Sequence, residues 1–196
     1  MTPSRLRLVC FALLALTAGG LLLAWSQPWF TLDLSREAIV VRGDVAAGAL
    51  PPLALVSLAM ILALALAGPG FRIVLGVLEV FVGIGAIAAA AFATANPAVV
   101  AISAITHATG IAGTGATDLV RSTATTGWPV LAIVAGALGI LAGLAIVVTG
   151  RAWPTGGRRF SRTRTEPVDA SAPVDADPVR EWDALSEGDD PTRPTP

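Results

Sequence analysis

Glu79 is the one ionisable side chain well inside a long apolar run of this chain. A carboxyl at membrane depth is costly and marks a functional position by default, for proton coupling or for contact with a substrate. Gly76, Gly83 and Ala90 fall near the same helical face. Small residues mark faces where helices approach closely, so Glu79 is expected to point into a bundle. Counted from Ile73 it lies about 9 Å from one edge, level with Ala142 and Gly143 of the last apolar run and with Leu14 of the first, Thr17 being one turn further in. No Arg or His shares that level, so the expected state is a protonated carboxyl bonded to Thr17, to a backbone carbonyl or to water. A structural hydrogen bond, or a side chain reaching toward the headgroups, explains the same residue. Ala135, Gly139 and Gly143 recur every four residues, and Gly139 to Gly143 is a GxxxG match that suits close packing within the chain or between protomers.

Other chemistry is thin. His107, Asp118 and Arg121 share one loop, but one His and the single Cys10 cannot make a zinc site, and no HExxH, GxSxG or P-loop pattern occurs. No enzyme, metal or cofactor is expected. Trp25, Trp29, Trp128 and Trp153 fall at the ends of apolar runs, where interface anchoring explains them and a cage for an aromatic ligand is the rarer alternative.

The elements that must position Glu79 are membrane helices. Hydrophobic residues make up 54% of the 196 before its 20 glycines are counted, and charged residues only 14%; soluble domains show about 45–50% with glycine included and about 25% charged. A net charge of −1 excludes a strongly basic nucleic-acid binder, and one cysteine excludes a disulfide scaffold. Four runs pass the length test of about 20 apolar residues: 8–25, 50–67, 73–93 and 128–148. Ser26-Gln27-Pro28, Gly68-Pro69-Gly70 and Asn96-Pro97 punctuate them. The first run follows Arg5 and Arg7 as a signal peptide would, but its length and the lack of a small-x-small cleavage site make it a retained span. The expected fold is thus an all-α membrane protein, with a four-helix transmembrane domain over residues 1–150 and a tail over 151–196.

Arginine asymmetry orients the spans. Arg5, Arg7, Arg72, Arg151, Arg158, Arg159, Arg162 and Arg164 fall on one side; Arg36, Arg42 and Arg121, offset by Asp33, Glu37, Asp44 and Asp118, fall on the other. Both termini are expected in the cytoplasm, with the chain multi-pass in the inner membrane. Residues 97–113 are apolar enough for a fifth span, but that would put the arginines after Gly150 outside. A loop is expected instead, with a short interfacial helix through Ala98, Ile102 and Ile105. In the first outer loop, TLDL and AIVV around Ser35, Arg36 and Glu37 could pair as a hairpin, although two strands alone are marginally stable.

The tail is basic over 151–164, a collar suited to anionic lipid, and then acidic and Pro-rich, with disorder expected. Near its end Val179, Trp182 and Leu185 recur at three-residue intervals, closed by Gly188 and Pro191. An exposed Trp and Leu in an acidic stretch suit a docking segment that also takes in Asp190; a turn folding back on the membrane is the alternative.

Four segments together resemble one family: Trp25-Ser-Gln-Pro-Trp29, Val45-Ala-Ala-Gly-Ala-Leu-Pro-Pro-Leu53, Arg151-Ala-Trp-Pro154 with Gly157-Arg-Arg-Phe160, and above all Trp182-Asp-Ala-Leu-Ser-Glu-Gly-Asp-Asp-Pro-Thr192. This pattern is similar to that of the tryptophan-biosynthesis-associated membrane proteins of actinobacteria, encoded within tryptophan operons, with their terminal W-x-A-L-x-x-G-E/D-D-P-T. Ser186 departs from it, an acidic residue being more usual there. The resemblance implies a pathway context and no reaction. The expected function is a membrane accessory protein whose tail docks a cytosolic tryptophan-pathway enzyme. The alternative is a small transporter or exporter subunit for tryptophan or an aromatic precursor, with Glu79 facing the path and a homo-oligomer completing it.

Overall fold

A computed structural model describes residues 3–34 and 37–153. Ser35, Arg36 and the tail from Pro154 onward, including Val179, Trp182, Leu185, Asp190 and Pro191, lie outside the described residues.

The chain is mostly helical. Three helices are long and apolar enough to cross a membrane: α1 (Pro3–Ser26), α4 (Pro69–Ala95) and α8 (Trp128–Thr149), the last extended by a 3-10 turn, Gly150–Ala152. A shorter apolar helix, α3 (Leu50–Leu66), has 17 residues. Proline opens α3, α4 and α8 in the first turn, where its missing N–H costs nothing and its fixed φ suits the helix. That is why α4 starts at Pro69 and not at Ile73 as the Gly-Pro-Gly break suggests: Pro69 and Gly70 form its first turn, and Arg72 belongs to the helix.

Around the bundle the order is α1, α3, α4, α8, with α8 closing on α1 and the heaviest contact between α4 and α8. Neighbours run antiparallel, and two apolar clusters form, one toward each end. The first gathers Ala18, Leu21 and Ala24 of α1, Leu50 and Ala54 of α3, Ala86, Ala90 and Ala93 of α4, and Ala132 and Ala135 of α8. The second gathers Cys10 and Leu14, Met60 and Leu64, Leu75, and Ala142 and Ile146 from the same four helices. Large apolar side chains elsewhere on the helices, such as Leu16, Leu62, Phe81 and Leu141, point outward and are exposed, as lipid-facing residues must.

The expectation of an all-α fold is corrected at one end of the bundle. There β1 (Pro28–Leu34), β2 (Ala38–Arg42) and β3 (Val120–Thr125) form an antiparallel sheet in the order β2-β1-β3. The expected hairpin is β1 with β2, Thr31 standing opposite Val40 on one side and Ala124 on the other. The third strand supplies what a lone hairpin lacks. Short helices α2 (Gly43–Ala46), α5 (Pro97–Val100), α6 (Ile102–Thr109) and α7 (Thr114–Thr117) complete this cap, Ile105 of α6 being buried in the first cluster. His107, Asp118 and Arg121 are all exposed on it.

Trp29 is a second correction. The β1–β2 register slips between Pro28 and Phe30, so Trp29 sits at a bulge and both Trp29 and Phe30 turn inward, as bulges re-aim side chains. Its ring is buried and edge-on to Phe30, and Nε1 donates to the Ala24 carbonyl at 2.7 Å. Trp29 therefore pins the cap to the end of α1 and is no lipid-facing anchor. The close approach also explains Gly43: a Cβ there would stand 2.6 Å from the Trp25 carbonyl oxygen and 2.8 Å from Trp29 Nε1. Trp153 is likewise buried, its ring edge-on to Phe11 with centroids 6.1 Å apart.

Candidate functional site

Between the two apolar clusters lies a polar layer with a residue from each of the four helices. Thr17 (α1), Ser57 (α3) and Glu79 (α4) are fully buried, and Gly139 (α8) is buried beside them. Ser57 Oγ donates to Glu79 Oε1 at 2.9 Å. A Cβ on Gly139 would meet Glu79 Oε1 at 3.2 Å and Thr17 Cγ2 at 3.1 Å, so the glycine lets the carboxyl and the threonine occupy one level. Glu79 Oε2 and Thr17 Oγ1 have no hydrogen-bond partner.

The sequence offers Thr17, a backbone carbonyl or water as the partner of Glu79, and the structure gives the bond to Ser57. Depth brings Ser57 within reach. With α4 starting at Pro69, Glu79 and Ser57 stand about equally far from the α3–α4 turn, roughly 15 Å at 1.5 Å per residue, deeper than a count from Ile73 gives. Ser57 is the only polar side chain of Leu50–Leu66, and that lone hydroxyl was the available signal. Among the described residues no basic side chain joins the layer: the nearest on α4 is Arg72, two turns away. What this arrangement can do chemically is hold one carboxyl by hydrogen bonding in a water-poor interior, with two polar atoms left for a proton or a small polar guest.

The glycines pack α4 on α8. Cβ atoms at Gly76 and Gly143 would stand 2.8 and 2.6 Å from each other's carbonyl oxygen, and those at Gly83 and Gly136 2.5 and 2.9 Å. Both contacts lie within the chain. The GxxxG spacing marks Gly139 and not Gly136, yet Gly136 makes the helix contact and Gly139 faces the polar layer.

At the end away from the cap, Arg72 is almost wholly enclosed. Its Nη1 donates to the carbonyls of Gly150 at 3.1 Å and Trp153 at 3.2 Å, closing the C-terminus of α8, and its guanidinium lies 5.5 Å from the Trp153 ring centre. Among the described residues no three His, Cys, Asp or Glu side chains come together as metal ligands would.

Apolar helices that expose their large side chains and bury their polar ones define a helical integral membrane protein. The family model of tryptophan-associated transmembrane proteins matches residues 11–192, and the chain belongs to that family, a group of membrane proteins linked to tryptophan operons. No curated protein and no solved structure matches it.

Proposed function

We propose that this chain is a non-enzymatic, four-span accessory protein of the inner membrane, both termini cytoplasmic, whose tail docks a soluble enzyme of tryptophan biosynthesis. The observation that carries the reading is the bundle itself. Its interior is closed by an apolar cluster on either side of the polar layer, and its glycine faces are used within the chain, so the chain resembles a platform more than a passage. The fourth span is α3: its 17 residues reach the lower limit of about 17–25 for a crossing, Leu50 and Leu64 join opposite clusters, and Leu55, Leu62 and Leu66 face outward. Arg5, Arg7, Arg72 and Arg151 gather at the uncapped end, which supports a cytoplasmic placement of that end by the positive-inside rule.

Affinity capture from detergent-solubilised membranes tests the docking, comparing the full chain, a form truncated after Thr165, and Trp182→Ala with Leu185→Ala. Loss of one soluble partner from all the altered forms is expected. Capture indifferent to these changes would remove docking.

One observation favours the second reading, a transporter or exporter subunit for tryptophan or an aromatic precursor. Glu79 Oε2 and Thr17 Oγ1 are polar atoms left without partners at the centre of the bundle, where an intramembrane carboxyl marks function by default. Flux of tryptophan in proteoliposomes should then fall with Glu79→Gln; equal flux in variant and parent discards it.

A further inference from the structure

We propose that the uncapped end holds a binding site for the phosphate of an anionic phospholipid, built from Arg7 and Arg72 against the Phe11–Trp153 aromatic pair. Arg7 lies 5.2 Å from the Phe11 ring centre, Phe11 meets Trp153 edge-on at 6.1 Å, and Arg72 lies 5.5 Å from the Trp153 ring centre. The two rings thus join two guanidinium groups at one end of the bundle.

Nothing in the described chain neutralises them. Its acids are Asp33, Glu37, Asp44 and Asp118 in or beside the cap and Glu79 in the polar layer, so this end carries Arg5, Arg7, Arg72 and Arg151 with no carboxylate. Arg72 is 3% exposed; two carbonyls and one ring face satisfy part of it, while Nε is buried without a partner. Enclosed charge is retained in proteins when it is paired. An anion bound at this end would complete that pairing.

Position and surroundings select a lipid as its source. The site stands at the ends of the crossing helices, the level of the headgroups. Around it are outward apolar side chains suited to acyl tails: Leu8 one residue from Arg7, Phe71 beside Arg72, and Leu66 and Val148 at the ends of α3 and α8, all more than half exposed. A free phosphate would use the arginines and leave this apolar rim unused. Arginine over an aromatic ring is a favoured geometry for phosphate recognition, since the fork stays pre-organised.

Native mass spectrometry of the full chain, released from nanodiscs of mixed phosphatidylglycerol and phosphatidylcholine with matched tails, tests this. Preferential retention of one phosphatidylglycerol is expected, lowered about fivefold in Arg7→Gln and kept in Arg7→Lys. It should also survive replacement of Arg158, Arg159, Arg162 and Arg164 by Gln, and added inorganic phosphate should not displace it. Equal retention of both lipids overturns the site. So does loss in Arg7→Lys as large as in Arg7→Gln, since charge would not be the cause. Loss only in the tail variant would move the contact to the tail, and displacement by inorganic phosphate would make the ligand a soluble anion.

Discussion

A carboxyl buried with no basic partner depends on its hydrogen bonds, and Glu79 has one, from Ser57. Ser57→Ala removes that donor and leaves a second oxygen unpartnered. A cost of about 1 kcal/mol is expected, because hydrogen bonds inside membranes average somewhat less than this and an orphaned buried acceptor adds to it. Glu79→Gln keeps an oxygen for Ser57 and brings an amide N–H toward the level of Thr17, so it should unfold within about 1 kcal/mol of the parent. Unfolding midpoints in mixed micelles measure both, and the hydrogen-bond account fails if Glu79→Gln is the more damaging change. Glu79 and Thr17 were legible in the sequence as rare polar groups within about one turn of the same depth. Ser57 was not, because a serine in an apolar helix can satisfy itself on the preceding turn and so gives no sign of a distant partner.

Glycine controls how closely the helices approach, and the positions fall into two kinds. Gly83 and Gly143 face backbone that cannot move aside, a Cβ at Gly83 standing 2.5 Å from the Gly136 oxygen and one at Gly143 2.6 Å from the Gly76 oxygen. Gly19 of α1 has nothing within 4 Å. Gly83→Ala and Gly143→Ala should each force α4 and α8 apart and cost about 1–3 kcal/mol, the usual range for overpacking. Gly19→Ala should be neutral or gain up to about 1 kcal/mol from helix propensity. The same micelle titration ranks them, and equal effects at all three positions would contradict the contact geometry. The small-residue face of α4 was readable from helical spacing. Which glycines of α8 meet it was not, since Gly136 and Gly143 pair with Gly83 and Gly76 in seven-residue steps of antiparallel helices, a register set by how the helices meet. The hairpin was legible in its two short strand-like runs, whereas Val-Arg-Ser-Thr-Ala-Thr reads as a polar loop until β1 is there to pair with it.

Thickness decides how the whole molecule sits. A 17-residue helix is about 25 Å long against a hydrocarbon core of roughly 30 Å. The apolar sequence nevertheless continues past both ends, through Ala46, Ala47 and Ala49 before it and Ala67 after it, and α3 contributes to the same two clusters and the same polar layer as its neighbours. If α3 crosses, the cap and the α3–α4 turn lie on opposite sides. Cysteine labelling separates the cases. Cys10 is buried and should give little background; Thr123 in β3 is exposed, and Gly68 is exposed with nothing within 4 Å of a side chain placed there. In intact cells a membrane-impermeant maleimide should modify Thr123→Cys and leave Gly68→Cys unreacted until the membrane is opened. Modification of both from outside would mean that α3 returns without crossing, and modification of Gly68→Cys alone would invert the orientation read from the arginines. The outcome also bears on the lipid site, because Arg7 and Arg72 share the end of the bundle that carries Gly68 and would meet whichever leaflet that turn faces.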